Sequence, residues 1–193
     1  ALLNGFGGAA SMLVAAAELT STRAVSRFEE SARQASAAAS LEPWTQFAIA
    51  IGLACFIGSV TLTGSLVAFG KLQELPQFKK PWNNPNRQWI NLALAVTALL
   101  LLWGVFGTSQ LLFFLLLVLV AAALGVTLTL PIGGADMPVV ICLLNSYSGL
   151  AAAAAGFVID NSVLVIAGSL VGASGLILTA IMCKAMNRSL VGV

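Results

Sequence analysis

Apolar residues fall in six long runs, about 1–19, 44–70, 89–107, 109–130, 137–159 and 161–186, and nearly every charge lies between them. A helix rising about 1.5 Å per residue needs about 20 mostly apolar residues to cross a hydrocarbon core about 30 Å thick. The last five runs reach that length. The first starts with no polar flank, as expected of a chain cut inside or just before a helix. The pattern predicts an all-α, polytopic transmembrane helix bundle of about six membrane helices. It predicts a single transmembrane domain over 1–193, with the membrane as solvent for most of the surface.

Composition supports that choice of solvent. Hydrophobic residues make up 59% of the chain and charged ones 8%, with mean hydropathy +0.99. A soluble domain carries about 25% charged residues. The chain therefore leaves no room for an added soluble domain, and a net charge of +2 is too small to suggest nucleic acid as a partner. Cys55, Cys142 and Cys183 each lie inside an apolar run. Their number is odd and their spacing fits no zinc pattern, so they read as small apolar residues rather than metal ligands. The N-terminus lacks the basic stretch of a secretory signal.

The charges orient the bundle. Lys71, Lys79, Lys80 and Arg87 face one acid, Glu74, between the second and third runs, and Lys184 and Arg188 close the last. The positive-inside rule places both regions in the cytoplasm. The mixed stretch 20–43, with Arg23, Arg27 and Arg33 against Glu29, Glu30 and Glu42, then lies outside, as a linker or a short surface helix. Trp44, Trp82, Trp89 and Trp103 lie near the expected boundaries, where amphipathic rings favour the interface. Pro76, Pro81 and Pro85 with Asn83, Asn84 and Asn86 make the cytoplasmic loop non-helical. The Leu/Phe-rich fourth run is expected to face lipid, and the second, fifth and sixth to face inward.

Candidate chemistry is confined to uncharged groups. Gly168 and Gly172 stand four apart, with Gly175 beyond, and Gly52, Gly58, Gly64 and Gly70 punctuate the second run. Small residues let helix backbones approach closely in lipid. Ser59, Thr61, Thr63 and Ser65 lie in the second run, Asn145-Ser-Tyr-Ser148 in the fifth, and Asn4 and Ser11 in the first. A Ser or Thr hydroxyl can bond the carbonyl one turn back, but an Asn amide cannot be hidden so easily. Asn145 is expected about 10 Å into the membrane, counted from Pro138, with Ser65 at similar depth. An amide facing hydroxyls there is either interhelical glue or part of a wet path. No carboxylate lies mid-membrane and the chain has no histidine. Such a path guides water but holds no proton near neutral pH unless another chain or segment supplies the titrating group.

The turn 131–138, Pro-Ile-Gly-Gly-Ala-Asp-Met-Pro, is the most specific stretch. Gly133 and Gly134 permit unusual backbone angles. Asp136 precedes Pro138 at a helix start, a natural capping position. Arg188 faces the same aqueous side, so an Asp136–Arg188 pair is geometrically possible where a soluble domain could dock.

Ile-Gly-Gly-Ala-Asp-Met-Pro-Val-Val at 132–140, Leu-Asn-Ser-Tyr-Ser-Gly at 144–149 and the Ala-rich 151–156 resemble the membrane domain of the proton-translocating nicotinamide nucleotide transhydrogenase beta subunit. Thr-Gly-Ser-Leu-Val-Ala-Phe-Gly-Lys at 63–71 and Ile-Met-Cys-Lys-Ala-Met-Asn-Arg-Ser at 181–189 match the same family, so the resemblance spans about 56–189. It implies proton movement coupled to hydride transfer between NAD(H) and NADP(H), both held in soluble domains absent here, with no cofactor in this chain. It implies that Asn145, Ser65 and Gly175 match residues tied to proton translocation, and that Asp136 and Arg188 couple to the NADP(H)-binding domain. The Leu-Asn-Gly-Phe at 3–6 aligns where many relatives carry His, so Asn4 shifts the expected proton-binding group to a histidine of the alpha subunit. Expected partners are the lipid bilayer, alpha subunits and the NADP(H)-binding domain, in a homodimer of the assembled enzyme in a bacterial inner membrane. The alternatives are a small-solute transporter or channel, which favours broken helices and internal repeats, and a scaffold for soluble partners.

Overall fold

The computed structural model describes residues 1–21, 43–76, 78, 85–108 and 111–189, with the side chains of 43–45 and 106–108 excepted. The stretch 22–42, Trp82 and most of the Pro/Asn-rich loop lie outside the described residues, as does the Trp44 side chain. The described residues form α1 (Leu2–Leu19), α2 (Pro43–Leu72), α3 (Arg87–Thr108), α4 (Leu111–Thr129), a 3-10 turn (Gly134–Asp136), α5 (Met137–Val158) and α6 (Ser162–Ala185), with no strand among them. All six α-helices are long and apolar enough to cross a membrane.

Burial ranks the helices. Over a membrane-length window, 67% of residues are buried in α2 and 56% in α5, against 28% in α1 and α4 and 22% in α6. The inward placement expected of the second and fifth runs holds. That of the sixth does not: α6 packs mainly on α5, and Val163, Ile166, Leu170, Ile177 and Ile181 are exposed. The reason is geometric. Its small residues, Gly168, Gly172, Gly175 and Thr179, recur at helical spacing and fill one narrow stripe. The remaining faces are mostly branched aliphatic, and the exposed Ser169 and Ser174 return their hydroxyls to the helix backbone, which suits acyl chains. In α4, Leu112, Leu115 and Leu119 face outward as expected, while Phe114, Leu117, Ala121 and Gly125 are buried.

Glycines set the interhelical distances. A Cβ on Gly168 would lie 2.4 Å from the Ala153 nitrogen, and one on Gly149 would lie 2.5 Å from the Gly172 nitrogen. Backbone meets backbone along the α5–α6 seam, and Ser146 Oγ donates across it to the Gly172 carbonyl at 2.6 Å. Gly8 and Gly58 play the same part between α1 and α2, where a Cβ on either would lie within 2.6 Å of the other's carbonyl oxygen. Lipid provides no hydrophobic drive between helices, so such close packing and interhelical bonds hold the bundle. Thr63 adds one by donating to the Ala122 carbonyl of α4 at 2.9 Å.

Two residues in the left-handed region shape the connections to α6. Asp160, at φ 54, makes the tight turn after α5, and Asn161 then caps α6 by accepting from the Leu164 nitrogen at 3.1 Å. Asn187, at φ 52, ends α6, and the Arg188 nitrogen returns to the Cys183 carbonyl. Asn tolerates this conformation better than most residues with a Cβ. Gly133 and Gly134 do not use it: Gly133 has φ −68, and a Cβ on either would meet open space. The expectation of unusual angles there is corrected. The bend is made instead by the single turn of 3-10 helix.

Lys71 locks the end of the bundle where α2 stops and α5 begins. It is buried at the last turn of α2, and its Nζ donates to the carbonyls of Leu130 and Ile132, just past α4. The last carbonyls of a helix lack intrahelical donors, and a cation there also suits the helix dipole. Lys71→Met should strand both acceptors, each costing about 1–3 kcal/mol. The check is a thermal melt of the detergent-solubilised protein; a variant melting with wild type would mean that water replaces the ammonium without penalty.

Candidate functional site

Toward the end of the bundle where α1 begins and α2 stops, α1, α2 and α5 meet around uncharged polar groups. Ser59 and Thr61 each donate to the carbonyl four residues back, so the α2 backbone absorbs them, and Thr63 lies within reach of both the Ser59 and the Ala122 carbonyls. Ser65 differs. It is fully buried, and its Oγ has no hydrogen-bond partner among the described residues. It lies against α1, where a Cβ on Gly5 would be 3.1 Å from the Ser65 Cβ. A buried hydroxyl left unpaired is costly, so its position favours a mobile partner such as water.

Asn4, next to Gly5, reaches the other way. Its Nδ2 donates to the Ile141 carbonyl of α5 at 3.1 Å. The carbonyl of a mid-helix residue already serves its own helix, so this bond uses the second lone pair and ties α1 to α5. Asn145 lies one turn further along α5, on the same stripe as Ile141 and Ser148. Ser148 in turn faces α1, where a Cβ on Gly7 would fall 2.4 Å from its Oγ.

Asn145 itself is half-buried and opens into a groove shared with Ser174, Gly175, Ile177, Leu178 and Ile181 of α6. Ser65 does not line that groove. Ser65 is interior, at the α1–α2 contact, whereas Asn145 stands at the edge where α5 meets α6. Asn4 is the described residue that spans from the α1–α2 side to α5. Gly175 lies against Ser146, with a Cβ at 2.8 Å from the Ser146 Cα, so it permits the α5–α6 approach beside the Asn145 groove.

At the aqueous end, Asp136 immediately precedes α5 but makes no side-chain capping bond. The capping expectation is corrected, because the carboxylate turns to Arg188 instead. Arg188 Nε stands 3.2 Å from Asp136 Oδ1, and Nη2 donates to Oδ2 at 3.4 Å. Two nitrogens on two oxygens make a fork that a Lys would not reproduce. The Arg188 side chain is 52% exposed and that of Asp136 14%, so the pair is open to water on one side. Beside it, Lys71 holds the 130–132 turn. Sequence reasoning used Lys71 only to orient the bundle; the available signal for its carbonyl contacts was a lone cation ending an otherwise apolar helix.

The geometry defines a class: a multi-pass helical membrane protein with a small-residue bundle, a polar seam at the α1–α2–α5 contacts and an ion pair at the end where α5 begins and α6 stops. A sequence model of a known family, described as the NAD(P) transhydrogenase beta subunit, matches residues 1–193. The chain belongs to the NAD(P) transhydrogenase beta subunit family. Relatives include the NAD(P) transhydrogenase subunit beta of Rhodospirillum rubrum, 46% identical over 145 residues that cover 75% of this chain, and the same subunit from a named strain of that species at the same identity. The chain spans 31% of the length of these curated relatives.

Proposed function

We propose that this chain is the proton-translocating membrane part of an NAD(P) transhydrogenase, coupling transmembrane proton movement to hydride transfer between NAD(H) and NADP(H). Membership of the family supports the enzyme class. The observation that carries the local mechanism is the unpaired, fully buried Ser65 hydroxyl beside the Asn4 bridge to α5. In this reading Asn4, Ser65 and Asn145 order water along α1, α2 and α5, while Gly175 keeps α6 close to α5. None of these groups exchanges a proton near neutral pH, so an alpha subunit supplies the titrating side chain, a histidine. The nicotinamide cofactors belong to soluble domains beyond these residues, and no hydride step is assigned to side chains of this chain.

The Asp136–Arg188 pair supplies the coupling contact. Arg188 sits on the short segment after α6, and Asp136 sits at the start of α5, the helix bearing Asn145. A docked NADP(H)-binding domain that draws Arg188 away frees the α5 N-terminus to shift. The assembled enzyme is a homodimer in a bacterial inner membrane.

The test is reconstitution of the complete enzyme in sealed vesicles, with hydride transfer and lumenal pH followed together. Hydride transfer accompanied by proton flux, and slowed by an opposing proton gradient, supports the reading. Transfer with no linked flux overturns it. In the same assay Arg188→Gln should lower coupled turnover by at least about tenfold, about 1.4 kcal/mol in the barrier. The melting temperature should move little, because a half-exposed ion pair contributes at most about 1 kcal/mol. Equal losses of stability and turnover would assign the pair a structural role instead.

A further inference from the structure

A second cavity lies away from the Asn145–Ser65 region, on the opposite side of α5. It has a volume of about 300 Å³ and is lined by Arg87 and Asn91 of α3, Leu128 at the end of α4, Leu143 and Tyr147 of α5, and Val60 of α2. Its polar groups are graded by depth. Arg87 is the first residue of α3 and is exposed at the cytoplasmic end. Asn91 lies one turn further in, and its Oδ1 is buried with no donor among the described residues. Beyond these the walls are apolar, apart from Tyr147 and Thr129, whose hydroxyl is spent on the Gly125 carbonyl. Tyr147 stands about 15 Å from the start of α5, and Val60 about 18 Å from the end of α2, at about 1.5 Å per residue. The crevice therefore runs from headgroup level to the middle of a hydrocarbon core about 30 Å thick, the depth of one leaflet.

We propose that this crevice binds one anionic phospholipid of the cytoplasmic leaflet. The phosphate meets the Arg87 guanidinium, the interfacial part of the lipid meets the Asn91 amide, and an acyl chain lies against Val60, Leu128 and Leu143. Three observations choose this occupant. Arg87 makes no ion pair among the described residues, so its guanidinium is available to an anion at the mouth of the crevice. The apolar walls continue from Arg87 for the length of an acyl chain and no further. The crevice borders the outward faces of α3 and α4, where Leu92 and Leu128 are exposed to the bilayer, so a lipid can enter sideways. Basic pockets between membrane helices on the cytoplasmic side suit anionic headgroups for these reasons. The inference needs the helices to span a bilayer but does not depend on proton coupling.

The experiment is native mass spectrometry of the purified complete enzyme, titrated with phosphatidylglycerol or with phosphatidylcholine of the same acyl chains. Wild type should retain phosphatidylglycerol at least about tenfold more strongly. Arg87→Gln should abolish that preference, while Lys184→Gln, an exposed cation outside the crevice, should leave it unchanged. Leu143→Trp, which fills the crevice and keeps Arg87, should lower retention of the lipid as well. Equal retention of the two lipids by wild type overturns the proposal. So does displacement by millimolar inorganic phosphate, which would assign Arg87 to a soluble anion. If Arg87→Gln fails to assemble, the wild-type lipid comparison and the phosphate competition decide the matter alone.

Discussion

Asn145→Leu is expected to lower proton-coupled turnover in the reconstituted enzyme by at least about tenfold, about 1.4 kcal/mol in the barrier. Leu matches Asn closely in size and removes only the amide. The amide makes no hydrogen bond to any described residue and opens into the groove against Ser174 and Gly175, so its loss leaves no buried partner stranded. The melting temperature should therefore hold, or rise slightly in lipid. Asn145→Gln, which keeps an amide one methylene further out, should recover part of the coupled rate. Unchanged coupled turnover in Asn145→Leu would remove Asn145 from the route and leave the Ser65–Asn4 region as the remaining candidate.

The largest stability loss is expected at the seam between α5 and α6. Gly168→Val puts a branched side chain where even a Cβ would stand 2.4 Å from the Ala153 nitrogen and 2.7 Å from the Gly149 oxygen. Both obstacles are helix backbone and cannot rotate aside, so the helices must separate. Overpacking commonly costs about 1–3 kcal/mol, and this site should reach the top of that range. Separation would weaken the close contacts at Gly149, Gly172 and Gly175 together, along with the Ser146–Gly172 bond. Since α6 packs mainly on α5, little else holds it in place. Arg188, carried just beyond α6, would lose its alignment with Asp136, so coupling should fail with stability. Gly133→Ala is the control: its Cβ enters open space and its φ of −68 is ordinary, so the melt should stay within about 0.5 kcal/mol of wild type. A Gly168→Val protein that melts like wild type would mean that α6 is held by something other than this seam.

Much of the architecture was legible because lipid imposes a simple rule. Apolar runs of membrane length become helices, and the observed bounds, such as Pro43–Leu72 for the run expected over 44–70, follow from where those runs stop. The glycine spacing of 168, 172 and 175 also foretold a close contact, because a small-residue stripe has little other use in lipid. Asp136 and Arg188 were legible as a possible pair, since both lie at helix ends on one side. The standing of α6 was not. Its small residues suggested an inward helix, yet a single stripe needs only one neighbour, and counting glycines does not reveal how many faces are covered. The capping role expected of Asp136 failed for a related reason: local position offered one partner, and a residue 52 positions away offered a better one.

The chain's own order of residues was enough to determine the solvent, the helical class, the approximate spans, the basic end and the small-residue stripes. Each is set by composition or by periodicity along one helix. Only the tertiary structure decided which hydroxyl stays unpaired, that Asn4 bridges to Ile141, that Lys71 secures the end of α4, and that Asn145 and Ser65 lie on separate contacts. Those outcomes depend on distances between helices far apart in sequence, set by how closely glycine-lined backbones can approach.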